Sequence, residues 1–155
     1  MKFPMRSCSV VSLVRRTPVV ALLMVAAGCA TTSAPLAGTD WQLVHFQSMD
    51  DAIGTIRPAD PSLFTMRLND DGTVNMRLDC NRANGTWSAE GSGDSGSFSF
   101  GRLAVTRALC APPNLDERIA RDSEFVRSFL LRDGRLHLSL MADAGIYTWE
   151  PLPSD

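Results

Sequence analysis

Leu63-Phe64-Thr65-Met66-Arg67-Leu68-Asn69-Asp70-Asp71-Gly72-Thr73-Val74-Asn75-Met76-Arg77-Leu78 is the stretch that decides the fold. Leu63 to Leu68 and Val74 to Leu78 alternate apolar with polar residues, the period of a strand with one buried face. Between them lies Asn69-Asp70-Asp71-Gly72, where a glycine supplies the positive φ of a tight turn. The segment therefore predicts a β-hairpin. The same aspartates could in principle bind calcium, but the remaining ligands of a calcium loop do not follow, and a turn is the simpler reading.

The neighbouring sequence repeats the strand pattern. Trp41 to Phe46 reads as a strand, with Trp41, Leu43 and His45 on one face and Gln42, Val44 and Phe46 on the other. A further strand is expected around Gly85 to Ala89, then a flexible run from Glu90 to Gly96, then Ser97-Phe98-Ser99-Phe100 with both phenylalanines inward. Leu136 to Leu140 and Ile146 to Trp149 form two more strands around a turn at Asp143 to Gly145. Asn114 to Arg132 reads as a helix: Asn114 and Glu117 form a capping box, and Gly134 lies just past the end. Leu115, Ile119, Val126 and Leu130 share its apolar face, widened by Phe125 and Phe129. Its arginines, Arg118, Arg121, Arg127 and Arg132, lie among Asp116, Glu117, Asp122 and Glu124 and read as a solvated face. Together these segments predict an α+β fold, a small curled, barrel-like antiparallel sheet with one main helix packed on it.

Charge divides the chain differently. Lys2, Arg6, Arg15 and Arg16 precede an apolar run, Val19 to Ala27, and then Gly28-Cys29. That order is the basic, apolar and cleavage regions of a secretory signal, and about nine apolar residues fall short of the roughly 20 that span a bilayer. Ala26-Ala27-Gly28-Cys29 resembles the lipobox of bacterial lipoproteins, with alanine at the position where leucine is usual. The resemblance implies acylation (a palmitate-type anchor) at Cys29. With Ala30 rather than aspartate next, it implies an outer-membrane lipoprotein facing the periplasm. Simple secretion without a lipid is the alternative. The expected organisation is a signal peptide over 1–28, a lipidated tether over 29–37, the folded domain over 38–151 and a short tail over 152–155.

From Cys29 onward the chain carries 11 arginines, no lysine and 17 acids. An excess of six negative charges disfavours nucleic acid, whose binding depends on cations replacing phosphate counterions. Of the four cysteines, Cys8 leaves with the signal and Cys29 takes the lipid, so Cys80 and Cys110 remain as a pair. In an oxidising compartment such a pair reads as a disulfide, and closing a loop of about 30 residues contributes roughly 3–4 kcal/mol. A metal site made from both cysteines with His45 and His137 is the sharper alternative, though no two of the four have the close spacing of zinc motifs. No metal or other cofactor is therefore expected.

The chain resembles the META domain family, which includes the heat-shock-linked lipoprotein HslJ. Gly38-Thr39-Asp40-Trp41-Gln42-Leu43 is similar to its G-T-x-W-x-L opening, and Phe64 with Asp71-Gly72 to its F followed by D-G. Cys80-Asn81 with Gly85-Thr86-Trp87 resembles C-N-x-x-x-G-x-aromatic, Thr106 to Cys110 resembles T-x-M-A-C, and Gly134 to Leu138 resembles G-x-L-x-L. Asp79 stands where the family usually has glycine, and Ala108-Leu109 replaces Met-Ala. The motif residues implied are Trp41, Asn81, Gly85 and Thr106, with Asn81 and Gly85 suited to a sharp chain reversal. The resemblance implies an envelope-associated fold linked in some members to heat stress, motility or novobiocin resistance, and no established enzyme activity.

The expected function is thus a non-enzymatic envelope lipoprotein, acting in stress tolerance or by contact with an envelope protein. The alternative is a periplasmic module that binds a small apolar ligand through Trp41, Trp87, Tyr147 and Trp149. An enzyme ranks third. His45, His137 and Asp79 are available, but no nucleophile and base stand together in the sequence and G-x-S-x-G is absent, so no catalytic residue is assigned.

Overall fold

The structure is a computed structural model that describes residues 35–112 and 115–152. The expected signal peptide, Cys29 and most of the tether lie outside the described residues, as do the last residues of the tail and Asn114, the expected helix cap.

The hairpin at Leu63 to Leu78 forms as expected. Strands β1 (Thr39–Ser48), β2 (Thr55–Ile56), β3 (Phe64–Leu68) and β4 (Thr73–Leu78) come first, and Gly72 between the last two sits at φ +79°. Then follow β5 (Asn81–Ser92), β6 (Ser95–Phe100), β7 (Ala104–Val105), helix α1 (Leu115–Asp122), β8 (Val126–Arg132), β9 (Arg135–Leu140) and β10 (Gly145–Pro151). All pairings are antiparallel, and β10 pairs with β1, so eight strands close into a barrel in the order β1, β3, β4, β5, β6, β8, β9, β10. The two-residue strands β2 and β7 are appended to β1 and β5. Closure removes the exposed edges that an open sheet would present.

The fold is more β-rich than the α+β reading, and the difference lies in one segment. The helix ends at Asp122, a 3-10 turn follows over Ser123–Phe125, and Val126–Arg132 is a strand. A bulge between Val126 and Ser128 lets both Val126 and Phe129 face inward, and Leu130, expected on the helix stripe, is 40% exposed. Tertiary demand overrides local period here: without β8, neither β6 nor β9 would have its ladder partner and the barrel would stay open.

Two smaller expectations also change. A bulge between Leu43 and His45 turns β1 over, so Trp41, Leu43 and Phe46 all face the core and His45 faces outward. The Gly-rich run from Glu90 to Gly96 is not a flexible loop but the end of the β5–β6 hairpin. Gly91 and Gly96 face each other, and a Cβ on Gly96 would stand 2.1 Å from the Glu90 carbonyl oxygen.

The two barrel ends are closed by different devices. Leu36, fully buried, plugs the end where the chain enters; there the Gly38 amide donates to the Leu68 carbonyl at 2.7 Å, and the Leu152 amide donates to Asp40 as the chain leaves. Helix α1 lies over the opposite end with Leu115 and Ile119 buried. Between them Leu43, Phe46, Leu68, Val74, Leu78, Phe98, Leu136, Leu138 and Trp149 fill the interior. Burial at that density supplies most of the driving force for folding.

Candidate functional site

Four of the singled-out residues meet beside the lid. After β4 the chain reverses through Asp79 at φ +57°, a left-handed conformation that costs an L-residue and that glycine adopts freely. Glycine, which the resemblance noted above implies at this position, would adopt it without that cost. Cys80 follows and is joined to Cys110, with Cα atoms 5.7 Å apart.

Asn81, 3% exposed, is the hub. Its Oδ1 accepts the Thr106 hydroxyl and the Ala108 amide, each at 2.8 Å. Its Nδ2 donates to Asp116 Oδ2 at 2.9 Å and to the Ala108 carbonyl at 3.0 Å, with Cys110 Sγ at 3.2 Å. Thr106 Oγ1 in turn accepts the Arg82 amide at 2.9 Å. One asparagine thus ties β5, the segment after β7 and α1 together next to the disulfide. A shallow groove of about 550 Å³ opens over this cluster, walled by Leu103, Val105, Leu109 and Arg121.

Gly85 has a different job from the chain reversal expected of it. It lies within β5, where a Cβ would meet the Arg102 carbonyl oxygen at 2.8 Å and the Leu103 side chain at 2.6 Å. Its bareness lets the 101–103 segment pass close by. Trp41 stands apart near the chain entry, buried, its Nε1 donating to Thr39 Oγ1 at 2.7 Å.

Residues outside the motifs prove equally structural. Asp116 and Asp122, which lie among the helix arginines, are 4% and 9% exposed. On the other flank of the lid Tyr147 Oη donates to Asp122 Oδ2 at 2.7 Å, and the Arg121 Nε reaches Asp122 Oδ1 at 3.4 Å. Arg118 stands 4.0 Å from the same carboxylate and lies over the Phe46 ring, 5.3 Å from its centroid. Burial, then the adjacent Asp122 charge and hydrogen bond, push the Tyr147 hydroxyl far above the ordinary tyrosine range, so it stays a donor. The sequence carried a signal for this: seven residues separate Leu115 from Asp122, which places the acid on the apolar stripe itself. A hollow of about 660 Å³ lies on this flank, bordered by Phe46, Met49, Ile53, Phe125 and Met141.

The barrel interior itself is filled. The void among Met76, Ile119, Val126, Leu138, Tyr147 and Trp149 is about 10 Å³, at the lower limit for a single water. Trp41, Tyr147 and Trp149 are core residues, packed within the barrel rather than lining that void as a ligand pocket.

The histidines share the outer wall. His45 on β1 and His137 on β9 flank Thr148 on β10, and His137 Nδ1 lies 3.2 Å from the Thr148 hydroxyl. Partial burial, then Arg57 and Arg135, hold His45 below the usual histidine range; burial, then Arg135 and Arg132, do so for His137. Both are neutral at pH 7. The four-ligand metal set is not assembled, because the sulfurs of Cys80 and Cys110 are spent on each other.

Two solved structures share this architecture. An NMR structure of a protein from Burkholderia xenovorans superposes with a TM-score of 0.60 at 21% identity, covering 77% of this chain and 85% of that one. A crystal structure of a DUF4847 family protein from Bacteroides vulgatus superposes with a TM-score of 0.53 at 12% identity, covering 78% and 97%. At these identities the likeness concerns the fold alone. No curated protein matches the chain in sequence. The model of the META domain matches residues 34–148, from just before the Leu36 plug to within β10 and including the whole Asn81 cluster, and the chain therefore belongs to the META domain family.

Proposed function

We propose that this chain is a non-enzymatic lipoprotein of the cell envelope, held at the outer membrane by acylated Cys29, whose META domain faces the periplasm and acts through contact with an envelope protein under stress. The observation that carries the reading is the Cys80–Cys110 disulfide, since such bonds persist in oxidising compartments and are rare in a reducing cytosol. The lipobox-like segment ahead of the domain agrees with it. The packed interior supports action at the surface. A small apolar ligand, the alternative, would use a surface hollow such as the two beside the lid.

Intact-mass analysis of the protein extracted from membranes tests this directly. The expected species begins at Cys29, carries acyl chains and has the mass of one disulfide. A chain that keeps Met1, with Cys80 and Cys110 as free thiols, in the soluble fraction would overturn the proposal.

A further inference from the structure

Among the described residues seven large apolar side chains are exposed, and four of them surround a single hollow. Met49 is 50%, Ile53 42%, Phe125 37% and Met141 44% exposed, all at the 660 Å³ hollow on the β1 and β10 flank of the lid. Leu109, Leu130 and Leu152 make up the remainder and do not border it. Contiguous exposed apolar surface of this kind marks interaction sites far more often than scattered single residues do.

The backbone holds the rim open. Met49 and Ile53 ride on a loop pinned by the Ile53 and Gly54 amides, both donating to the Asp50 carbonyl at 3.0 Å. Met141 leads into Ala142 and Asp143, two consecutive non-glycine residues at φ +54° and +52°. Left-handed backbone at both positions is strained, and such strain is kept where the surrounding structure or a function requires it. The Met49 amide donates to the Ala144 carbonyl at 3.5 Å, joining the two loops across the rim.

Charge and position define the occupant. Asp50, Asp122 and Asp143 line the hollow, and exposed Asp51 adjoins it, against Arg118, already engaged by Phe46 and Asp122, and Arg127, whose guanidinium donates to the Glu124 and Val126 carbonyls and lies 3.6 Å from Met141 Sδ. Asp50, Asp51 and Asp143 outnumber Arg127, so the net rim charge is negative. The hollow lies at the Ser48 end of β1, whereas the chain enters and leaves the barrel at the Thr39 end, ten residues or about 30 Å of strand away. A tether joined at the entry end attaches opposite the hollow, and anionic lipid would meet like charge there.

We propose that this hollow docks a cationic amphipathic segment of another protein, whose apolar side chains settle on Met49, Ile53, Phe125 and Met141 while its lysines or arginines meet Asp50, Asp51 and Asp143. The choice of a protein partner rests on the contact reading above. Methionines suit such a surface because they repack around different apolar shapes, and an amphipathic helix laid in a groove is a common mode.

The test uses the acylated, oxidised protein in nanodiscs of zwitterionic lipid, with empty discs as the blank and a fluorescent helical peptide of leucine and lysine as the probe. Binding above the blank is expected. Phe125→Ser with Met141→Ser, and independently Met49→Ser with Ile53→Ser on the opposite loop, each weaken it about tenfold. Asp50→Asn with Asp143→Asn weakens it about threefold and flattens its salt dependence, while Leu130→Ser leaves it unchanged. Equal binding of a leucine and glutamate peptide, no excess over empty discs, or a preference for anionic vesicles would overturn the proposal. Self-association abolished by Phe125→Ser would also overturn it, identifying a second copy as the occupant. The two readings fail separately: an acylated, disulfide-bonded protein that ignores the peptide removes the docking site alone, whereas peptide binding by a protein found unacylated with free thiols removes the envelope assignment alone.

Discussion

On its β5 flank the lid helix is held beside a disulfide by a buried asparagine that makes four short hydrogen bonds across three segments; on its β10 flank the same helix relies on one tyrosine–carboxylate bond and the stacking of Arg118 on Phe46, and four apolar side chains stay exposed. Cys80, Asn81, Thr106 and Cys110, which carry the sequence resemblance to META proteins, gather on the first flank. Their chemistry is that of a clasp, since every polar atom of the Asn81 side chain is already spent within the protein. The second flank instead exposes four apolar side chains around one hollow.

Breaking the clasp should have the largest effect. Cys110→Ser is expected to lower unfolding free energy by roughly 3–4 kcal/mol, the worth of closing a loop of about 30 residues. Chemical denaturation with and without reductant checks this, the reduced wild type matching the variant. Asn81→Ala should cost about 2–3 kcal/mol, because Thr106, the Ala108 amide and Asp116 all lose a buried partner at once. Combined with Thr106→Val it should show strong coupling, which a double-mutant cycle reads.

The β10 flank should yield less. Tyr147→Phe removes a hydrogen bond to a buried carboxylate and should cost about 1.5–2 kcal/mol with the aromatic packing on Phe46 kept. A loss as large as that of Asn81→Ala would erase the contrast between the flanks. The smallest effect is expected from pH. His45 and His137 titrate lower in the folded state than unfolded, so below about pH 6.5 the unfolded chain takes up protons first. Stability should be level above that pH and decline as pH falls through the depressed folded values. His45→Gln should shallow the decline, and a rise in stability on acidification would contradict the assignment.

Much of this was readable before any coordinates. The Asn69 to Gly72 turn needs a residue tolerant of positive φ, and the cysteine pair needs only a count and a compartment; both were visible as chemistry. What stayed hidden depends on the rest of the chain. Phe125, Phe129 and Leu130 fit a helical stripe locally, yet β6 and β9 draw that stretch into the sheet. A bulge of one residue exchanged His45 for Phe46 in the core. Gly91 and Gly96 looked like freedom and are instead a close crossing of two backbones. The structural roles of Asp116 and Asp122 were not legible because their partners, Asn81 and Tyr147, lie 35 and 25 residues away in sequence.

Native-state hydrogen exchange at the Ala108 amide reaches the centre of this picture. Its hydrogen is held by Asn81 Oδ1 at 2.8 Å beside the disulfide, while the Ala144 amide, bonded at 3.3 Å to the Met141 carbonyl, belongs to the open flank. The account predicts strong protection at Ala108 in the oxidised protein, its loss on reduction, and fast exchange at Ala144 in both states. An Ala108 amide equally protected after reduction, or Ala144 slowing to match it, would contradict the division into a clasped flank and an open one.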